Sequence, residues 1–364
     1  TCQEWGIDPT LPVPADPRFR GLRTLTVNPV RQKILGLVPT ARPKLDKAIF
    51  RSSWEPAAEF LAVNGLSGSP HGHDDAIGIS QYLVGPHLWL FEGDYIRRAV
   101  EDHNLVAILR DGAGLSRQRD RIPDLERFAQ VVGQTQNPER TMALLSLLIE
   151  RCNGVDYYRH VAWEAGGGLW VVDDLRAVAA GDYRFVSGWR TTGELTGHDQ
   201  GVMVRQSPAP GDGGLAVLSI AEGSGAAAFG YSAFERTHGR ANRSLAYPHS
   251  DGVIRTRLYW KDAALAAGQR VAFVQHFRAI PGTAPAPVSI TEVAPGIYAA
   301  GDGDGRNTIA LGDGIAFTSA RGALALPEGA AAPDTAATTA PAGAQPVRPN
   351  QTMPLPAAAA LRQG

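Results

Sequence analysis

The stretch Ser69-Pro70-His71-Gly72-His73-Asp74-Asp75-Ala76-Ile77-Gly78-Ile79-Ser80-Gln81-Tyr82-Leu83-Val84-Gly85-Pro86-His87-Leu88-Trp89-Leu90-Phe91-Glu92 decides how the chain is read. Its two short apolar segments, 76–84 and 87–91, are parted by Gly85-Pro86, a dipeptide that marks a turn. They read as a strand and its return strand. In His71-Gly72-His73, the strand period of two sends both imidazoles to one face, which suits a metal or a catalytic pair. A third segment follows, with Asp102-His103-Asn104 leading into Leu105-Val106-Ala107-Ile108-Leu109 and stopped by Asp111-Gly112. His73, Glu92 and His103 thus fall on three successive strand-like segments, and neighbouring strands of one sheet would gather them. Spacing alone leaves a second reading open, in which His71, His73 and His103 are ordinary polar residues at strand ends.

The same texture extends in both directions. Upstream, residues 48–54 and 59–65 are apolar runs rich in aromatic and branched residues, the latter ended by Asn64-Gly65, a hairpin signal. Before them, Pro9, Pro12, Pro14, Pro17, Pro29, Pro39 and Pro43 predict an irregular arm with no long helix, leaving room for a short strand or turn over Val30 to Val38. Downstream, residues 141–150 have a helix-forming composition that a buried strand shares. Their neighbours favour strand, because segments at 157–163, 168–175, 183–189, 201–205, 214–220, 252–260 and 270–277 recur between Gly-rich breaks, as antiparallel sheets require. Asp302-Gly303-Asp304-Gly305 lacks the spaced carboxylates and terminal Glu of a calcium loop and reads as a turn.

Beyond Glu328, Ala, Pro and Thr dominate, and such a segment buries too little apolar surface to offset its ordering entropy. The expected fold is all-β: a large two-layer antiparallel β-sandwich over 46–327, an irregular arm over 1–45 and a disordered low-complexity tail over 328–364. No repeat of fixed period points to a propeller or solenoid.

A chain of 364 residues, 44% hydrophobic and 20% charged, has globular composition and length enough for a large core. Its net charge of -1 gives no basis for a sequence-independent grip on nucleic acid. No apolar run is long enough to cross a bilayer, so no membrane partner is expected. The two cysteines, Cys2 and Cys152, fit no Cys-x-x-Cys metal spacing and make no disulfide framework, although a single bridge between them stays open. With Thr1 in first place and no signal peptide, the chain is expected to begin inside a longer protein.

Taken in order, several stretches resemble the C-terminal region of the heparinase II/III family of polysaccharide lyases. They are Phe50-Arg51-Ser52-Ser53-Trp54-Glu55-Pro56, His71-Gly72-His73-Asp74-Asp75-Ala76, Phe91-Glu92-Gly93-Asp94-Tyr95 and His103-Asn104. Tyr158-Arg159-His160-Val161-Ala162-Trp163 and Leu169-Trp170-Val171-Val172-Asp173-Asp174 continue the match, which covers residues 45–280. The ordered set is fairly specific, whereas His-x-His alone is weak.

The resemblance implies a β-sandwich that follows an α/α-toroid, a domain these residues do not include and which would be the partner of this chain. It implies a zinc ion at His73, Glu92 and His103 and a catalytic role for His71 in the cleft between toroid and sandwich. Family members usually carry Asp where this chain has Glu92, which keeps Asp94 as a second candidate ligand. Zinc accepts imidazole nitrogen and carboxylate oxygen, and Asp74, Asp75 or Asp102 can orient the imidazoles. The implied zinc is structural, since elimination needs no water nucleophile. The implied reaction is β-elimination at a uronic acid in an acidic polysaccharide, glycosaminoglycan or alginate-like, in a periplasmic or secreted enzyme. A tyrosine and a further histidine from the toroid share that work, so this fragment alone is expected to be inactive. The alternative is a noncatalytic carbohydrate-binding or structural β-sandwich stabilised by a metal.

Other polar residues carry weaker signals. Asn104 either orients His103 or ends a turn. His160, His198, His238, His249 and His276 read as surface or satisfied strand histidines. Arg236, Arg240 and Arg243 with His238 form either a solvated loop face or a contact for an anionic sugar. Trp163, Trp170 and Trp189 lie in strand patterns where core packing outweighs sugar stacking.

Overall fold

Apolar runs become strands throughout the computed structural model, which describes residues 20–55, 58–67, 74–92, 100, 103–114, 128–198, 201–206, 216–236, 253–280, 287–301 and 307–328. In chain order these are β1 (Gly21–Thr26), a short helix α1 (Pro29–Ile34), β2 (Leu45–Arg51), β3 (Phe60–Asn64), β4 (Ile79–Val84), β5 (His87–Phe91) and β6 (Val106–Arg110). Next come β7 (Gln130–Gln136), β8 (Met142–Cys152), β9 (Val155–Glu164), β10 (Gly168–Ala177), β11 (Gly181–Thr191), β12 (Glu194–His198), β13 (Gly201–Gln206) and β14 (Ala216–Glu222). The chain continues with β15 (Ala227–Arg236), β16 (Val253–Leu265), β17 (Arg270–Ile280), β18 (Ser289–Ala294), β19 (Ile297–Gly301), β20 (Asn307–Leu311), β21 (Gly314–Ser319) and β22 (Gly322–Pro327).

A nine-stranded sheet runs β1-β2-β3-β4-β5-β11-β16-β15, with β6 also paired to β11. An eight-stranded sheet runs β12-β13-β14-β17-β10-β9-β8-β7. The two face each other around one apolar core, with Phe50 against Trp163 and Trp189 against Phe277 at ring separations of 6.0 and 4.6 Å. Each large side chain sealed there contributes roughly 1.5–3 kcal/mol. Trp163, Trp170 and Trp189 are all buried, as strand packing predicts.

The two-layer sandwich carries a third layer. Strands β18 to β22 form a five-stranded meander whose Tyr298, Ile309, Ile315 and Phe317 pack on Met142, Leu144, Trp170 and Val172 of the eight-stranded sheet. Cover on both faces explains why β8 from Met142 to Ile149 is apolar except for Ser146, rather than alternating. That run is a strand, buried from Met142 through Ile149.

The arm expected to stay irregular up to residue 45 is partly regular. Gly21–Thr26 pairs with β2 along its length, and Pro29 opens α1 behind Asn28, whose side chain accepts from Arg31 N–H at 2.8 Å. Proline at the first helical position forfeits only an amide that had no helical partner. Residues 1–19 and the expected disordered tail from 329 onward lie outside the described residues. Among the described residues, no helix is long and apolar enough to cross a membrane.

Candidate functional site

Three chain segments converge where β4, β5 and β6 begin or end. The segment 74–78 leads into β4, Glu92 follows β5, and residues 103–105 lead into β6. Strand β6 does not pair with β5. Both strands lie along β11, with Leu90 opposite Thr191 and Val106 opposite Ser187, so β11 sets the distance between Glu92 and His103.

Asn104 ties the three segments together from a fully buried position. Its amide Nδ2 donates to the Ile79 carbonyl at 2.9 Å, and its Oδ1 accepts from Arg190 N–H at 2.6 Å. Its backbone N–H donates to Glu92 Oε1 at 2.5 Å. The side-chain amide, weighed in the sequence as an orienter of His103, thus binds backbone groups, and it is the Asn104 backbone that steers Glu92.

Glu92 and His103 come together as the strand-like spacing predicts. Glu92 Oε2 lies 3.8 Å from His103 Nδ1, with both side chains 2% exposed. That is an ion-pair separation, too long for a hydrogen bond. Gly78 makes room for the carboxylate, because a Cβ there would stand 2.7 Å from Glu92 Oε1 and 2.9 Å from the Asp75 carbonyl oxygen. Beside it Ile77 adopts φ +72°, a conformation that branched side chains rarely tolerate and that costs roughly 1–3 kcal/mol. Its N–H donates to the Asn64 carbonyl at 2.8 Å and its own carbonyl accepts from Arg159 at 3.0 Å, so both ends of the strained peptide are held.

Burial pushes the Glu92 carboxyl well above the usual carboxylate range, and the nearby charge of Asp75 adds to the rise. The Asn104 N–H, Arg190 and Arg159 work in the other direction. Glu92 Oε2 has no hydrogen-bond partner among the described residues. A buried carboxylate in that condition is costly unless a positive charge meets it. A cation answers both features, and the 3.8 Å spacing is close to the ~3.4 Å that oxygen and nitrogen ligands of one tetrahedral ion keep. Among the described residues no group of three or more His, Cys, Asp or Glu gathers around a common point. His71, His73, Asp94 and Asp102 lie outside the described residues. Asp75 accepts from Asn64 Nδ2 at 2.8 Å, and Asp74 is buried next to it.

A second ionic cluster, which sequence reasoning did not single out for a role, backs this site from the facing sheet. Arg159 on β9 binds Asp173 on β10 through Nε and Nη2 at 2.6 and 2.9 Å. Its Nη1 donates to the carbonyls of Ile77 and Asn104 at 3.0 and 2.7 Å. Tyr157 donates to Asp173 at 2.9 Å and accepts from Val106 N–H at 3.1 Å. The guanidinium thereby clamps two of the three segments. A signal for it exists in the sequence: Arg159 and Asp173 interrupt the inward-facing series Tyr157, Val161, Trp163 and Leu169, Val171, Leu175 at directly opposed positions.

The remaining histidines divide. His160 and His276 are buried rather than surface residues, and burial lowers both to a pKa of about 3. His276 meets Trp170 edge-on at 4.7 Å. Nothing is described of the side chains of His198 and Arg236, and His238, Arg240, Arg243 and His249 lie outside the described residues.

No family model and no curated protein matches the sequence. The fold is nonetheless shared with solved lyase structures. Heparan sulfate lyase HepC from Pedobacter heparinus is similar with a TM-score of 0.52 and 12% identity, over 78% of this chain and 41% of that one. A structure of heparinase III is similar with a TM-score of 0.50 and 10% identity, over 77% of this chain and 41% of that one. The chain thus spans about two fifths of each of these enzymes, and identities this low show a shared fold.

Proposed function

We propose that this chain is the β-sandwich part of a polysaccharide lyase that cleaves uronic-acid-containing acidic polysaccharides by β-elimination. The observation that carries the reading is the buried Glu92–His103 pair, held by Asn104 and β11 on a fold shared with heparan sulfate lyase. In this reading His73, Glu92 and His103 hold a zinc ion, with Asp94 the alternative carboxylate. When bound, zinc supplies a fixed positive charge that neutralises Glu92 and locks the segments around it.

His71 is the residue assigned to chemistry. If the sequence stretch His71-Gly72-His73 follows the strand period of two, as its pattern suggests, the residue that anchors the metal also fixes where His71 points. There its imidazole assists proton transfer or neutralises the substrate carboxylate. A base removes the proton on the carbon beside that carboxylate, the electron pair forms a carbon–carbon double bond, and the glycosidic carbon–oxygen bond breaks. An acid then protonates the departing oxygen. Neutralising the carboxylate stabilises the charge that develops on it as the proton leaves. The other acid–base groups belong to an α/α-toroid partner, and the enzyme is periplasmic or secreted.

Ultraviolet absorbance of unsaturated uronate, followed with the full-length protein and a panel of acidic glycans, tests this. A rise with wild type that His71→Ala abolishes is the expected result. No rise with any glycan, or an undiminished rise in His71→Ala, overturns it; glycan binding without a rise would mark a noncatalytic module.

A further inference from the structure

A cleft of about 240 Å³ opens between β7, β8 and β9 of the eight-stranded sheet and β21 and β22 of the third layer. Side chains alternate along β9, so Tyr158 and His160 face this cleft while Arg159 faces the Glu92–His103 site. At about 30 Å³ per water the volume equals roughly eight waters, enough for a ligand of one sugar ring. One cross-strand row forms the floor: Gly133, Ser146 and His160 are successive register partners. Arg42, Arg176 and Tyr158 line the walls, and Glu328 stands at the end of β22.

The polar groups here point to a carboxylate. His160 is 6% exposed, and its Nδ1 lies 2.7 Å from Ser146 Oγ. Its Nε2 has no hydrogen-bond partner among the described residues. When the Ser146 hydroxyl donates to Nδ1, one of the two roles that this contact allows, the neutral ring carries its hydrogen on Nε2, and a buried N–H calls for an acceptor. The Arg176 guanidinium lies 4.6 Å over the Tyr158 ring, is held by the buried Asp174 at 2.8 Å, and already pairs with the half-exposed carboxylate of Glu328. Arg42 makes a long 3.7 Å contact to the half-exposed Glu150. Two guanidiniums and one carboxylate line the cleft.

We infer that this cleft binds a carboxylate-bearing ligand the size of a sugar ring, whose carboxylate displaces Glu328 from Arg176 and meets Arg42, His160 Nε2 and the Tyr158 hydroxyl. The chemistry is shared by a free sugar acid and by a uronate within an oligosaccharide. The site lies on the opposite face of the eight-stranded sheet from the proposed lyase centre, and the inference does not depend on that reading.

Calorimetric titration of the full chain with D-glucuronate, a uronate-containing tetrasaccharide and D-glucose tests the inference, with melting temperature confirming the fold of each variant. Saturable binding of glucuronate or of the tetrasaccharide is expected, with none for glucose. Arg42→Gln should weaken it by about tenfold, the value of one charged hydrogen bond, and Tyr158→Phe by a smaller factor. Glu328→Gln should tighten it, because the internal rival is gone. Binding of glucuronate alone identifies a free acid as the ligand, and binding of the tetrasaccharide alone a polymer. No binding of either, equal binding of glucose, weaker binding in Glu328→Gln, or wild-type affinity in both Arg42→Gln and Tyr158→Phe overturns the inference. Retained glucuronate binding without ultraviolet absorbance would sink only the lyase reading.

Discussion

The Arg159–Asp173–Tyr157 cluster and the Glu92–His103 pair are neighbours, both sealed from solvent, and both depend on Asn104. They differ in how completely protein answers their polar atoms. Arg159 spends its guanidinium on Asp173 and two carbonyls, and Tyr157 completes the Asp173 shell. Glu92 has one oxygen held by an amide, while the other faces an imidazole beyond hydrogen-bond reach. A buried ion pair survives when geometry and extra hydrogen bonds offset its desolvation, and the first cluster meets that condition unaided. In the proposed reading the second meets it once a cation is added. One is then scaffold and the other a socket, and the scaffold holds the socket's walls.

The largest test removes half of the scaffold. Asp173→Ala strands the Arg159 charge and should cost about 3–5 kcal/mol in denaturant unfolding. A loss below about 1 kcal/mol would mean that the cluster does not brace the sandwich.

Next comes another buried carboxylate, Glu59, which accepts from Tyr82 at 3.0 Å and from Gly166 N–H at 2.8 Å. Burial raises its pKa from 4.5 to about 7, against the pull of Gly166, Tyr82, Trp163 and Arg321. An acid whose folded pKa exceeds its unfolded one stabilises the fold below its unfolded pKa and loses that contribution as pH rises through the folded one. Stability should therefore fall by about 3 kcal/mol between pH 4.5 and about 7.5 on this group's account. Unfolding series across that range should show the slope in wild type and lose it in Glu59→Gln; equal slopes would place Glu59 with the satisfied groups.

Gly78→Ala crowds the Glu92 carboxylate and the Asp75 carbonyl, and should cost about 1–3 kcal/mol while lowering metal content by elemental analysis. Full metal retention would show that Gly78 is not what shapes the socket. Smallest in stability is Glu92→Gln. In chelator-treated protein it should change unfolding free energy by less than about 1 kcal/mol, because a neutral amide replaces a carboxyl that already resists ionisation. Purified without chelator, wild type should contain zinc if the proposed site is real, and the same variant should lack it. Equal zinc in the two would break the distinction between scaffold and socket.

Much of the architecture was legible because strand periodicity and Gly-rich breaks are local. The run 141–150 was ambiguous only until its neighbours were weighed, yet its lack of apolar–polar alternation held a further message, cover on both faces, which the third sheet supplies. Regular structure in residues 21–34 was obscured because prolines that break most patterns also open helices. At the site, the approach of Glu92 and His103 was legible from spacing, although the strand that brings them together is β11, about a hundred residues later. No local pattern carries a pairing of that range. Asn104 looked like a turn residue or an orienter of His103, and its work on Glu92 and Ile79 appears only in three dimensions. Arg159 and Asp173 were visible as charges at inward positions, but their opposition needs the β9–β10 register.

The third sheet bears on how the chain folds. Each of its strands pairs with the next in sequence, from β18 through β22, so its loops close at little entropic cost and its contacts are of low order. The nine-stranded sheet must instead wait for β11 to reach β5 and for β16 to reach β11. The local meander nevertheless has nowhere to bury Phe317 and Ile309 until Trp170 and Met142 present their face. It is quick to pair and late to dock, and until it docks the eight-stranded sheet exposes an apolar face open to aggregation.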